Sequence, residues 1–184
     1  MAADPPADVR GKAGRALQDF AALVARHWGL YGEFAPLTSE RDLNFRLTGD
    51  AGRFVVKIAN SAEPVEQTRF QNRALRHAAA ADATLPIPRV IAARDGADDV
   101  VLPDGNLMRV LSWVEGAPLA GLPRTGPQGR AVATFGARLL RALRGLDDPA
   151  ADHVLQWDIR HAAALDARVD AGVARSEAHT SELQ

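Results

Sequence analysis

The sequence predicts an α+β protein: a mostly antiparallel sheet made of two hairpins, with helices before, between and after them. Three observations carry this. Leu43-Asn44-Phe45-Arg46-Leu47 and Phe54-Val55-Val56-Lys57-Ile58 flank the turn signal Gly49-Asp50-Ala51-Gly52. Val100-Val101-Leu102 and Leu107-Met108-Arg109-Val110-Leu111 flank Pro103-Asp104-Gly105 in the same way. Around these pairs, apolar residues recur at helical spacing.

Residues 1–12, rich in Pro, Ala and Asp, read as a disordered lead-in. Leu17, Phe20, Ala21, Val24 and Trp28 then share one helical face, and Gly29 ends that helix. A first strand is expected over 31–37, weakened at Pro36, which cannot donate to a ladder. In the hairpin over 43–58, Phe54, Val56 and Ile58 point to one face, and Val55 and Lys57 to the other. Residues 63–80 read as a helix with Phe70, Ala74, Leu75 and Ala78 on its apolar side. Leu85-Pro86-Ile87-Pro88 must run extended, because each proline restricts the residue before it. The second hairpin empties into Ser112-Trp113-Val114-Glu115-Gly116. The strongest helical pattern spans 128–146, striped by Val132, Phe135, Gly136, Leu139, Leu143 and Leu146. Its Arg130, Arg138, Arg141 and Arg144 read as a solvated face. Residues 147–158 look irregular, and a weakly patterned, alanine-rich helix is expected over 159–173.

The chain has 184 residues, 47% of them apolar and 24% charged, enough to bury a real core in one domain or slightly more. A net charge of −1 gives no electrostatic case for nucleic acid or an anionic membrane. No apolar run approaches a membrane span. Met1-Ala2-Ala3-Asp4-Pro5-Pro6 lacks the basic patch and apolar core of a secretory signal, so a cytoplasmic protein is expected. Without cysteine there is no disulfide, thiolate zinc site or cysteine nucleophile.

Lysine occurs only as Lys12 and Lys57. Lys57 sits near the end of an apolar strand, where its charge costs free energy unless an anion or carboxylate meets it. The polar loop Thr38-Ser39-Glu40-Arg41-Asp42 leads into the partner strand. A loop over phosphates, then a strand lysine reaching them, is how a kinase N-terminal lobe covers ATP. The plainer alternative is a surface lysine on an edge strand. An antiparallel domain with no nucleotide site would then fit.

Several phrases, in order, resemble the N-terminal lobe of the aminoglycoside phosphotransferase and choline kinase-like family, which has a protein-kinase-like fold. They are Leu37-Thr38-Ser39-Glu40-Arg41-Asp42-Leu43-Asn44-Phe45, Val55-Val56-Lys57-Ile58, Gln71-Asn72-Arg73-Ala74-Leu75, Leu85-Pro86-Ile87-Pro88, Val110-Leu111-Ser112-Trp113-Val114-Glu115-Gly116 and Gln156-Trp157-Asp158-Ile159. The likeness covers residues 13–165, and its nearest look is to the hydroxylysine kinase and homoserine kinase-like branch. It implies a kinase-like N-lobe over 13–116 with a hinge at 112–116, and the first helices of a truncated C-lobe over 117–174. It also implies site roles. Lys57 would meet the α- and β-phosphates of ATP. Ser39 and the backbone amides around Glu40 and Arg41 would cover the phosphates, although this loop has no glycine. Val55 would lie against the adenine, and the backbones of Ser112 and Val114 would bind its edge. Trp113 reads as ordinary packing beside the hinge.

One departure concerns the helix carboxylate that pairs with the strand lysine in such kinases. Its slot falls at Arg69 or Gln71, neither acidic. Glu66, a turn earlier, is the expected substitute, with Glu63 behind it. A solvated first-turn glutamate is the alternative for Glu66.

Phosphoryl transfer also needs an aspartate for the hydroxyl proton, and Asn plus Asp for magnesium. In the resembled family these lie in a His-Gly-Asp…Asn loop and an Asp-Phe-Gly-like segment after the hinge. No histidine here (His27, His77, His153, His161, His179) has an aspartate two residues on, and the last asparagine is Asn106. The tail over 175–184 resembles a translated sequencing-adapter oligonucleotide, so a gene fragment with a non-native end is expected. The function expected is the ATP-binding lobe of a small-molecule kinase, inactive as it stands. Mg2+ would be required by the full-length parent. The phosphate acceptor would be a hydroxyl of an amino-bearing metabolite or an aminoglycoside. In this branch the parent gene can carry a fused aminotransferase domain. The uncovered stripe on the helix over 128–146 leads to an expectation of self-association. A non-catalytic nucleotide-binding or scaffold module is the rival reading.

Overall fold

Strands Leu43–Gly49 (β2) and Gly52–Ile58 (β3) pair antiparallel about Asp50-Ala51. Gly52 opens β3 at φ +115°, a backbone value L side chains rarely adopt. The computed structural model describes residues 7–39, 41–119, 122–123, 125–153 and 159, with side chains from Leu17 onward. Glu33–Leu37 (β1) adds to β2 as an edge strand, which is why Pro36 is tolerated in it. Leu107–Ser112 (β6) pairs with the other side of β3. Val90–Ile91 (β4) and Val100–Val101 (β5) both pair with β6. The result is a six-stranded antiparallel sheet of order β1-β2-β3-β6-β4, with β5 also on β6.

Strand alternation separates the two faces. Leu47, Val56, Ile58, Met108 and Val110 turn to one side and meet Val24 and Trp28 of the first helix, Ala7–Trp28 (α1). Val24, Val56, Met108 and Val110 are fully buried, and burial of each such side chain is worth roughly 1.5–3 kcal/mol. The Trp28 indole also donates to the Ile91 carbonyl at 2.8 Å, pinning the end of α1 to β4. Gly29, at φ +70°, takes the left-handed conformation that ends the helix. The helix starts earlier than the sequence suggests: Ala7 lies inside the expected lead-in over 1–12. Ala7, Arg10, Lys12 and Ala13 are good helix formers, while Asp8, Val9, Gly11 and Gly14 are not, so propensity alone does not account for the early start.

Val65–Ala81 (α2) lies over the opposite face, and Gly126–Ala142 (α3) packs against it. Ala78, Leu85, Ile87 and Ala142 form their buried centre, with Leu75, Phe135, Leu139 and Leu143 around it. Three corrections to the sequence reading follow. First, α3 ends at Ala142, not near 146, because Leu143 caps it and Gly145 turns the chain at φ +79°. Second, Phe135, Leu139 and Leu143 are covered by α2 and the Leu85–Ile87 segment, while Val132 stays exposed. The argument for self-association therefore loses most of its stripe. Third, Arg138 is no solvated arginine, since it donates to Asp82 and Thr84 beyond the end of α2. Its three neighbouring arginines are exposed as expected.

The first compact unit accordingly runs to Asp147 and includes α3, past the lobe boundary expected at 116. In the second unit, Pro149–Ala151 forms one 3-10 turn capped by the Asp148 carboxylate, which accepts from the Ala150 amide at 3.0 Å. The helix expected over 159–173, Ile159 apart, and the tail over 175–184 lie outside the described residues.

Candidate functional site

The strand registers put Asn44, Lys57 and Arg109 in one row across β2, β3 and β6. Directly opposed residues share a face, so all three point to the α2 side of the sheet. Val55 shares that face one step along, opposite Arg46 and Leu111. Lys57 Nζ lies 3.0 Å from Asn44 Oδ1 and 3.2 Å from Asp42 Oδ2, and the lysine side chain keeps 22% of its surface exposed. Asp42 also accepts from the Asn60 amide at 3.4 Å through Oδ1.

The expected pairing of Lys57 with Glu66 is therefore corrected: the carboxylate meeting this lysine is Asp42, from the loop that leads into β2. Glu66 is the solvated first-turn glutamate of the alternative reading. Its side chain is 62% exposed and sits 3.4 Å from Arg69 and 3.6 Å from Arg73 on its own helix. Glu63 accepts from the Gln71 side-chain amide at 2.7 Å. Gln71, in the slot where an acid was expected, turns its carbonyl to the Arg109 guanidinium. The helix-to-sheet polar bridge has thus moved one strand over, from β3 to β6.

Arg109 is 4% exposed. One guanidinium nitrogen donates to Asn72 Oδ1 at 2.8 Å and to the Thr68 carbonyl at 3.4 Å. Burial pulls this guanidinium below its ordinary pKa, while Asp42, Glu63 and Asp99 pull the other way.

At the hinge, Ser112 exchanges bonds with Arg89 in an unusual pattern. Its amide donates to the Arg89 carbonyl at 2.8 Å, but the Arg89 amide goes to the Ser112 hydroxyl, also at 2.8 Å. The Ser112 carbonyl is left outside this exchange. Among the described residues the Val114 amide has no protein partner, and Val114 is 40% exposed. An acceptor and a donor two residues apart suit the edge of an adenine. Trp113 carries Arg46 over its ring at 6.0 Å, on the Lys57 face. Arg53 and Glu115 close the outer side at 2.5 Å.

The loop expected to cover the phosphates runs from Thr38 to Asp42. Ser39 and Arg41 are exposed, and Glu40 lies outside the described residues. The donors and acceptors present fit the phosphates and base of a nucleotide. For a metal, no group of three or more His, Asp or Glu is gathered among the described residues. Sequence reasoning passed over Asp42, Asn44 and Arg109. Asn44 could have been found by counting the register across the hairpin, but Arg109 could not, since its meaning depends on which face α2 covers.

The sequence profile of the phosphotransferase enzyme family, abbreviated APH, matches residues 33–183. No curated protein matches the chain in sequence. Among solved structures, an amicoumacin kinase in complex with AMP-PNP and Ca2+ is similar with a TM-score of 0.65 at 14% identity, over 77% of this chain and 45% of its own. A microcompartment-associated aminopropanol kinase gives 0.58 at 16%, over 78% and 46%. Spectinomycin phosphotransferase in complex with ADP and spectinomycin gives 0.54 at 12%, over 73% and 39%. The chain thus spans less than half the length of each of these kinases. At such identities the likeness is one of fold, and the fold is that of a kinase-like N-terminal lobe.

Proposed function

The chain belongs to the phosphotransferase enzyme family, and from that premise we propose that it is the ATP-binding lobe of a small-molecule kinase. The acceptor would be a hydroxyl of an amino-bearing metabolite, hydroxylysine- or homoserine-like, or of an aminoglycoside. Solved structures of similar fold, named for amicoumacin, spectinomycin and aminopropanol, are in keeping with that class. The observation that carries the reading is Lys57. It stands part-exposed on the α2 face, in the same strand as Val55, with the hinge at the end of the adjoining β6.

In this reading Lys57 Nζ leaves Asp42 and Asn44 for the phosphate oxygens. Val55 and Leu111 supply the apolar wall for the base. The Ser112 carbonyl and the Val114 amide orient the adenine edge, and Trp113 with Arg46 screens the hinge from water. Bound ATP would supply the transferable phosphoryl group, with Mg2+ neutralising its charge. The residues that would deprotonate the acceptor and hold that metal belong to motifs this sequence lacks. The chain is accordingly proposed to bind nucleotide without turning it over.

Isothermal titration of the purified chain with ATP, adenosine and inorganic triphosphate tests this. ATP is expected to bind, and Lys57→Ala to weaken it by at least about tenfold while leaving adenosine unchanged. An absence of ATP binding at millimolar concentration, or equal loss of adenosine and ATP in Lys57→Ala, would sink the reading.

A further inference from the structure

Lys57 and Arg109 are a directly opposed pair on neighbouring antiparallel strands. Like charges in that relationship destabilise a sheet, because the Cβ atoms stand only about 4.5–5.5 Å apart. The cost is higher here because Arg109 is 4% exposed. A buried cation is ordinarily met by a carboxylate. Among the described residues Arg109 meets none: its acceptors are the Thr68 carbonyl and the side-chain amides of Asn72 and Gln71, all neutral. Of the acids acting on it from further off, Asp42 is already in contact with Lys57, Glu63 with Gln71 and Asp99 with Arg69. The arrangement carries a second cost. Asn72 turns its oxygen to the guanidinium, and its Nδ2 is left buried with no partner. An aspartate at 72 or a glutamate at 71 would neutralise the guanidinium with little change of shape. The protein instead keeps, in the row of Lys57, an immobile positive charge that carboxylates reach only from further off.

We propose that Arg109 is a positioning residue for the phosphates taken by Lys57, its fixed charge adding to the field that draws a polyphosphate to this face. Arg109 does not touch the ligand. It acts across the strand pair, through a guanidinium already locked by three acceptors, so no side-chain ordering is needed when the anion arrives. The proposal rests on the nucleotide reading of this face.

The deciding variant is Asn72→Asp, which keeps Arg109 and its hydrogen bond but places a carboxylate on the guanidinium. It is expected to melt at a higher temperature than the unmodified chain and yet bind ATP about tenfold more weakly, the size of one charge acting through partly buried medium. Adenosine binding should not change. The slope of log affinity against log salt should also fall. Arg109→Gln should lose ATP affinity and slope alike, and Arg109→Lys should keep the slope. If Arg109 serves only to fasten α2, Asn72→Asp fastens it better, and ATP affinity stays the same or improves. That result overturns the proposal and leaves the nucleotide reading standing. Failure of the unmodified chain to bind ATP overturns both.

Discussion

Asp42 holds Lys57 across the mouth of the hairpin, Oδ2 to Nζ at 3.2 Å, and both side chains remain about one-fifth exposed, at 19% and 22%. In the proposed nucleotide reading, the pair stands where a phosphate enters. Two anions cannot share one ammonium at close range without mutual repulsion. Asp42→Asn should therefore tighten ATP by about three- to tenfold, with at most about 1 kcal/mol lost from stability because the pair is still reached by solvent. Calorimetric titration beside a urea melt reads both quantities. Weaker ATP binding in Asp42→Asn would show that the carboxylate aims Lys57 at the phosphate and does not compete with it.

Gly32 and Gly49 let the first two strands of the sheet close on each other. A Cβ on Gly49 would collide with the Tyr31 carbonyl oxygen, and one on Gly32 with that of Thr48. At Gly52 a Cβ would meet nothing, and only the backbone angle of +115° opposes it. Gly49→Ala is expected to cost about 3 kcal/mol and Gly52→Ala about 1–2 kcal/mol. Denaturant melts of the two variants rank the effects. Equal losses would mean that the strand ends separate freely.

Both hairpins, all three helices and the facing of Lys57 could be read from the residues, because period-two and period-3.6 patterns are local. The partner of Lys57 could not. Glu66 is the sequence candidate because it lies one turn before the expected slot, yet a side chain at 62% exposure finds Arg69 and Arg73 along its own surface first. Asp42 reaches the lysine through a loop whose path no periodicity describes. The helix face alone places Arg138 in solvent, and only the placement of Asp82 beyond the end of α2 changes that.

The start of α3 lies at Gly126, two residues before the apolar pattern begins. Thr125-Gly126-Pro127-Gln128 carries a capping box: the Gln128 amide donates to Thr125 Oγ1 at 3.3 Å, and Gln128 Oε1 accepts from the Thr125 amide at 3.1 Å. Thr125→Ala should lower stability by about 1 kcal/mol and Thr125→Ser by much less. Hydrogen exchange at the Gln128 and Gly129 amides should quicken in the alanine variant alone. Protection that survives the substitution would mean that packing, and not the cap, fixes the start of α3.

Arg138 fastens α3 to α2 through Asp82, with Nε and Nη2 at 2.9 and 2.7 Å from one carboxylate oxygen and Thr84 Oγ1 at 2.7 Å from Nη2. The Arg138 guanidinium first, and then the Thr84 hydroxyl, hold the Asp82 carboxyl below its ordinary value of 3.8. The sign follows directly. A carboxyl whose folded pKa is depressed stabilises the fold fully above the unfolded value, and that contribution disappears as pH falls through the folded value. Asp82→Asn should thus melt below the unmodified chain at about pH 7, and the gap should close on acidification below about pH 4. Arg138→Met should show the same profile, and the double variant should lose little more than either single one. A gap that persists unchanged into acid would mean that the two side chains matter for their packing and not for their charge. The same melts bear on the site, because α2 carries the Gln71 and Asn72 that hold Arg109. If α2 moves as one rigid helix, cutting the latch at its far end should weaken ATP binding in both single variants. If the helix end yields locally, stability should fall while ATP binding stays as it was.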